Sequence, residues 1–154
     1  MCGLLWNELE MPILTSLERK FVESNRVARL ATVDEEGSPH VVPVCFVCID
    51  NDIYITIDGK PKTGDPKSLK RIRNIKANPK IALILDKYDE DWTRLAWVLV
   101  RGRADILESG GEQLSAQESL RCRYPQLKKM MLKRMPVIAI RIAKVTSWGA
   151  LAQD

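Results

Sequence analysis

Four cations, Lys60, Lys62, Lys70 and Arg71, follow one another across a Gly- and Pro-punctuated stretch and the segment after it. Cations beside a helix start, where backbone N–H groups are free, make good phosphate-binding chemistry. Thr56, on the strand-like segment leading in, adds a hydroxyl. The same cations read equally well as a solvated basic helix face. Trp92, Trp97 and Trp148 offer flat apolar surfaces on which a planar heterocycle packs, although tryptophans also serve cores and interfaces. Other candidates point away from catalysis by the chain's own acids, bases or metals. His40, the single histidine, follows Pro39 at a strand start, a place for a surface or hydrogen-bonding residue more than for a general base. Cys45 and Cys48 spell C-x-x-C, but within a strand pattern, where residues three apart face opposite sides. Packing is expected there, with no shared metal. Tyr88-Asp89-Glu90-Asp91-Trp92 reads as a solvated acidic connection. No G-x-S-x-G, H-E-x-x-H, Walker loop or G-x-G-x-x-G occurs.

The elements that must position these residues can be read in order. Thr15 and Glu18 form a capping box opening a helix to about Asn25. Strands are expected over 26–33, 40–49 and 53–58, separated by turns at 34–37 and 50–52. Asp65-Pro66 supplies an N-cap and first position for a helix from Lys67 to about Ala77, with Leu69, Ile72 and Ile75 inward. Asn78-Pro79 stops it. Strand 80–86 and a long bent strand 94–107 follow, with Gly102 at a bulge or corner. Ser109 and Glu112 form a second capping box for a helix to about Arg123. A basic helical stretch through Lys128, Lys129, Lys133 and Arg134 leads to a last strand, 137–145. This pattern is α+β dominated by β: six antiparallel strands in a barrel with flanking helices. Residues 1–14 read as an N-terminal arm and 15–150 as one domain.

The chain has 154 residues, 45% hydrophobic and 29% charged, enough for one packed core and too apolar for a disordered chain. A net charge of +4 is too mild to single out a nucleic-acid partner. No apolar run is long enough to span a bilayer, and Glu8 and Glu10 interrupt the opening residues too soon for a secretory signal. No membrane partner and a cytoplasmic location are therefore expected. In the 40–49 strand Val41, Pro43 and Cys45 line one face and Val42, Val44 and Phe46 the other, so both faces are apolar. A barrel fills itself with one set; the other needs a cover, from the chain's own helices or from a second subunit.

Taken together, Ala28-Arg29-Leu30-Ala31-Thr32-Val33-Asp34, then Gly37-x-Pro39-His40-Val41-Val42-Pro43-Val44, then Ile53-Tyr54-Ile55-Thr56, resemble the pyridoxamine phosphate oxidase-like superfamily. Ile72-Arg73-Asn74-Ile75-x-x-Asn78-Pro79-Lys80-Ile81-Ala82-Leu83 continues the likeness, which covers roughly residues 17–150. Lys60-Pro61-Lys62, Tyr88-Asp89-Glu90-Asp91-Trp92 and Ser147-Trp148-Gly149 are similar to its coenzyme F420 (deazaflavin)-dependent oxidoreductase subgroup. The resemblance implies a split β-barrel homodimer with cofactor sites at the interface. It implies that Val42, Pro43, Val44, Thr56, Ile57 and Asp58 meet the ring, and that Lys60, Lys62, Lys70 and Arg71 hold the phosphate. Trp97 and Trp148 would come from the partner subunit. The implied activity is hydride transfer between F420, or FMN as the alternative, and a small organic substrate. A non-enzymatic cofactor binder or sensor on the same fold is the competing expectation.

Overall fold

The computed structural model describes residues 11–57, 65, 68–130 and 135–152. Asp58, Lys60 and Lys62, with Pro66, Lys67, Lys133 and Arg134, lie outside the described residues. Among those described, three α-helices, α1 (Ser16–Ser24), α2 (Lys70–Ala77) and α3 (Gly111–Arg123), flank seven strands. The strands are β1 (Ala28–Val33), β2 (Pro39–Val44), β3 (Val47–Ile49), β4 (Asp52–Thr56), β5 (Lys80–Lys87), β6 (Ala96–Leu107) and β7 (Val137–Gly149). They form one antiparallel sheet in the order β2-β1-β5-β6-β7-β4-β3, curled into a half-barrel.

The strand count of six is corrected to seven because the expected 40–49 strand breaks at Cys45-Phe46. Its two pieces sit at opposite edges of the sheet. Phe46 is the cause. Its ring is fully buried, and its backbone leaves the ladder to bond one phenol. The Phe46 N–H donates to the Tyr124 hydroxyl at 3.1 Å. That hydroxyl in turn lies 2.9 Å from the carbonyl oxygens of both Phe46 and Arg26, which share its single proton. Periodicity alone cannot foresee a distant side chain taking over a strand's hydrogen bonds.

Helix starts divide the same way. The Thr15–Glu18 capping box forms, with Thr15 N–H donating to the Glu18 carboxylate at 2.9 Å and Glu18 N–H to the Thr15 hydroxyl at 3.2 Å. The second expected box does not. α3 starts after Gly110, at φ +101, with no side-chain cap. Its Glu112 turns away to bond Arg141 Nη1 at 2.5 Å and the Tyr54 hydroxyl at 2.8 Å. α2 begins at Lys70, later than the expected Lys67, and no side chain caps it; the Asp65 carbonyl accepts instead from Ser68 N–H at 2.9 Å.

Inward residues of the curled sheet, including Leu30, Ile53, Ile55, Leu83, Leu85, Val98, Val100, Ile138 and Ile140, make the main core with Phe21 and Val22 of α1 and Ile72 and Ile75 of α2. A second core lies outside the sheet, where Ala116, Leu120, Tyr124 and Leu127 cover Tyr54, Val137 and Ala139. That double cover explains why β7 opens with an unbroken apolar run. The bulge expected at Gly102 is present. The β6–β7 register slips between Arg101 and Gly102, and a Cβ at Gly102 would overlap the Arg141 carbonyl oxygen. No helix of the described residues is long and apolar enough to cross a membrane.

Candidate functional site

The two free edges of the half-barrel face one cleft. β2 pairs only with β1 among the described residues. β3 pairs with β4 over Asp52–Tyr54 and stops, so among the described residues Ile55 and Thr56 have a ladder partner, β7, on one side alone. Between these edges lies a cleft of about 180 Å³ lined by Val27, Pro43, Val44, Cys45, Ile55, Thr56, Arg71 and Leu127. Among the described residues its walls are mostly apolar, with backbone from β2 and β4 and the permanent cation Arg71. A flat heterocycle with polar edge atoms and an anionic substituent suits that combination.

Four of the expected residues are brought together here: Pro43, Val44, Thr56 and Arg71. Arg71 enters from the first turn of α2, and its Nε is buried. The Thr56 hydroxyl donates to the Ile57 carbonyl at 3.3 Å. Val42 and Ile57 pack with the core and are not among the described lining residues. Lys70 is not among the lining residues; its ammonium lies 3.2 Å from the Asp34 carboxylate. Trp97 and Trp148 face each other across β6 and β7 on the outer side of the sheet, away from this chain's own cleft. Asp58, Lys60 and Lys62 fall outside the described residues.

Cys45 departs from its expected buried packing. It is exposed and lines the cleft, because the chain leaves β2 at this point. Cys48 is half-buried in β3, and burial raises its thiol pKa. No cluster of three or more metal-ligating side chains occurs among the described residues. Val27 and Leu127 were not foreseen. Leu127 arrives from the segment after α3, and no local pattern places it beside β2.

The most highly charged cluster lies elsewhere, beside an open hollow of about 480 Å³ lined by Met11, Ile13, Asn51, Asp52, Arg141 and Ile142. Arg141 reaches Asp52 at 3.4 Å, Asp105 at 3.2 Å and Glu112 at 2.5 Å. The bond from Arg141 holds the Glu112 carboxyl below its usual range, while burial raises Asp52. Burial, then the bond to Glu112, raises the Tyr54 phenol. With its guanidinium already held by three carboxylates, Arg141 serves as a tie between β4, β6, β7 and α3 and has little left for a ligand.

Among the described residues, the outer side of β1, β2, β5, β6 and β7 carries no helix comparable to α3. Val41 is 62% exposed and Trp148 53%; Ile84 and Leu99 lie on the same face, with the Arg29–Asp86 ion pair and Arg101 among them.

The family model described as pyridoxamine 5'-phosphate oxidase matches residues 14–149. A 5a,11a-dehydrotetracycline/5a,11a-dehydrooxytetracycline reductase of Streptomyces rimosus is 26% identical over 136 residues, covering 88% of this chain and 82% of that protein. An FAD-binding protein of Mesorhizobium loti has a similar structure, with TM-score 0.65, 26% identity, and coverage of 87% of this chain and 94% of that one. A heme-binding protein of Mycobacterium smegmatis shares the fold with TM-score 0.69 and 19% identity, over 85% of this chain and 52% of that one.

Proposed function

We propose, from the premise that the chain belongs to the pyridoxamine 5'-phosphate oxidase family, that it is an oxidoreductase using coenzyme F420, or FMN in its place, to reduce or oxidise a small organic molecule. The observation that carries this is the cleft between the free edges of β2 and β4, with Arg71 as its cation. The bound ring would supply hydride chemistry. The protein's part is to hold it: Pro43, Val44, Ile55 and Thr56 wall the ring and exclude water, and Arg71 takes charge on the anionic tail. The described lining residues are mostly apolar, which suits the packing of a planar cofactor ring. The likeness to a reductase and to an FAD-binding protein supports the same reading.

A volume of about 180 Å³, below the roughly 300–1,000 Å³ typical of small-molecule sites, supports a site completed by a second chain. A second copy docked through this mixed outer face would cover Val41, Ile84 and Trp148 and give the cleft its other wall, with Trp97 and Trp148 near it. Equilibrium titration with F420, FMN and hemin tests the reading. Dissociation constants in the micromolar range for F420 or FMN, followed by oxidation of the reduced cofactor with quinones, enones or nitroaromatics, are expected. Binding without turnover would favour a cofactor-binding or sensor protein on this fold. Failure of both to bind below about millimolar, with tight hemin binding lost on changing His40, would overturn the proposal.

A further inference from the structure

Three residues that line the cleft, Val27, Cys45 and Leu127, come from segments far apart in the chain. Val27 and Cys45 each adjoin a residue bonded to Tyr124, and Leu127 is bonded to it directly. The Tyr124 hydroxyl oxygen lies 2.9 Å from the Arg26 carbonyl, beside Val27, and 2.9 Å from the Phe46 carbonyl, beside Cys45. It accepts from Phe46 N–H at 3.1 Å and from Arg123 Nε at 3.2 Å. The Tyr124 carbonyl accepts from Leu127 N–H at 2.9 Å. Arg123 braces the same node. Its Nη2 donates to the Asn25 carbonyl at 2.5 Å and the Glu23 carbonyl at 3.1 Å, and its carbonyl accepts from Arg26 Nη2 at 2.6 Å. Tyr124 is 8% exposed and Phe46 fully buried, so water is poorly placed to compete for these bonds.

The β1–β2 ladder shows what this node does. Its last pair at this end is Ala28 with Val44. Continued in the same register, it would pair Val27 with Cys45 and Arg26 with Phe46. The phenol oxygen instead stands between Arg26 and Phe46 and takes their hydrogen bonds. The two strands are split at that point, and Val27 and Cys45, just inside the split, line the cleft. We propose that Tyr124, braced by Arg123, is a positioning residue of the cleft, fixing the separation of the walls at Val27, Cys45 and Leu127 and with it the fit of a planar ring. The proposal rests on the cofactor reading of the cleft. Tyr124 is not among the lining residues; it acts through the backbone of those that are. Its effect falls on the ring, because the three walls it holds are uncharged, and a flavin with or without a phosphate feels it alike.

The test is titration of wild type, Tyr124→Phe and Thr15→Ala with FMN and with riboflavin, which carries the same ring and no phosphate, at a temperature where each protein is folded. Tyr124→Phe should weaken both ligands by the same factor, about three- to ten-fold, the scale of one net hydrogen bond. The visible absorption of bound FMN should shift toward that of the free cofactor. Thr15→Ala removes the α1 cap and lowers stability away from the cleft; it should change neither affinity. Should Tyr124→Phe fold poorly, hydrogen exchange on wild type decides. Saturating FMN must then slow the Phe46 and Leu127 amides more than the Gly37 amide, which is bonded to Asp34 at the opposite end of the β1–β2 hairpin. Wild type that binds FMN, with Tyr124→Phe binding as tightly, losing FMN alone, or losing no more than Thr15→Ala, overturns this proposal and leaves the cofactor reading standing, as does exchange slowed equally at all three amides. Wild type that binds neither flavin nor F420 overturns both.

Discussion

Replacing Tyr124 by Phe removes one oxygen and should cost more than any exposed substitution. The phenol oxygen accepts from Phe46 N–H and from Arg123 Nε at 3.2 Å, and its proton is shared by the Phe46 and Arg26 carbonyls. Phe46 is fully buried, so water cannot easily take over. A buried N–H left without a partner costs about 1–3 kcal/mol, and the carbonyls, with second lone pairs, add less. The ring itself stays, with Arg26 and Arg123 stacked at 4.8 and 5.4 Å, so no cavity term enters. The expected net loss is about 2 kcal/mol, or roughly 4–8 °C in Tm for a domain of this size. Urea unfolding monitored by tryptophan fluorescence should show a lower midpoint with an unchanged slope. Because the bond pins the chain just after Val44 and Cys45, FMN binding should weaken as well. A stability change below about 0.5 kcal/mol would refute the claim that this hydroxyl causes the strand break.

Gly102→Ala should destabilise by about 3 kcal/mol or more, read by chemical unfolding, because the new methyl meets the Arg141 backbone rather than a movable side chain. Glu112 has a depressed folded pKa, so its stabilisation is full above the unfolded value of about 4.3 and is lost as pH falls through the lower folded one. Glu112→Gln should therefore flatten the acid limb of the stability–pH profile below about pH 5, by no more than about 1 kcal/mol given solvent screening. Asp52, raised by burial, acts in the opposite sense and limits the effect. Arg71→Glu should weaken FMN roughly ten- to a hundred-fold, the loss of a charge-assisted bond, while Tm moves little; unchanged binding would place the anion site elsewhere. Trp148→Glu should shift the species seen by light scattering from two chains toward one; a monomeric wild type would remove the docked-face reading.

Much of the ladder was legible in local signals. The Thr15–Glu18 box, the Asp34–Gly37 turn, the Asn78-Pro79 stop and the Gly102 bulge each depend on residues a few positions apart, so their chemistry travels with the chain. Local signals failed where a distant group competed. Ser109 and Glu112 have the spacing of a capping box, but Arg141 offers Glu112 a charged partner, and a charge-assisted bond outweighs a backbone cap. Val41 to Ile49 has the alternation of one strand, but Tyr124 takes the hydrogen bonds of its middle residue. The pairing of Pro43 and Val44 with Thr56 and Arg71 could be anticipated only through family likeness, since no periodicity links them. What the sequence determined by itself is most of the strands, though not the break at Cys45-Phe46, most of their turns and the presence of a cation on α2. Only the tertiary structure decided that the sheet curls until its two free edges line one cleft, that Cys45, Val27 and Leu127 join that cleft, and that Lys70 is held by Asp34. Those outcomes follow from long-range packing and from competition between partners far apart in the chain, which no window of sequence contains.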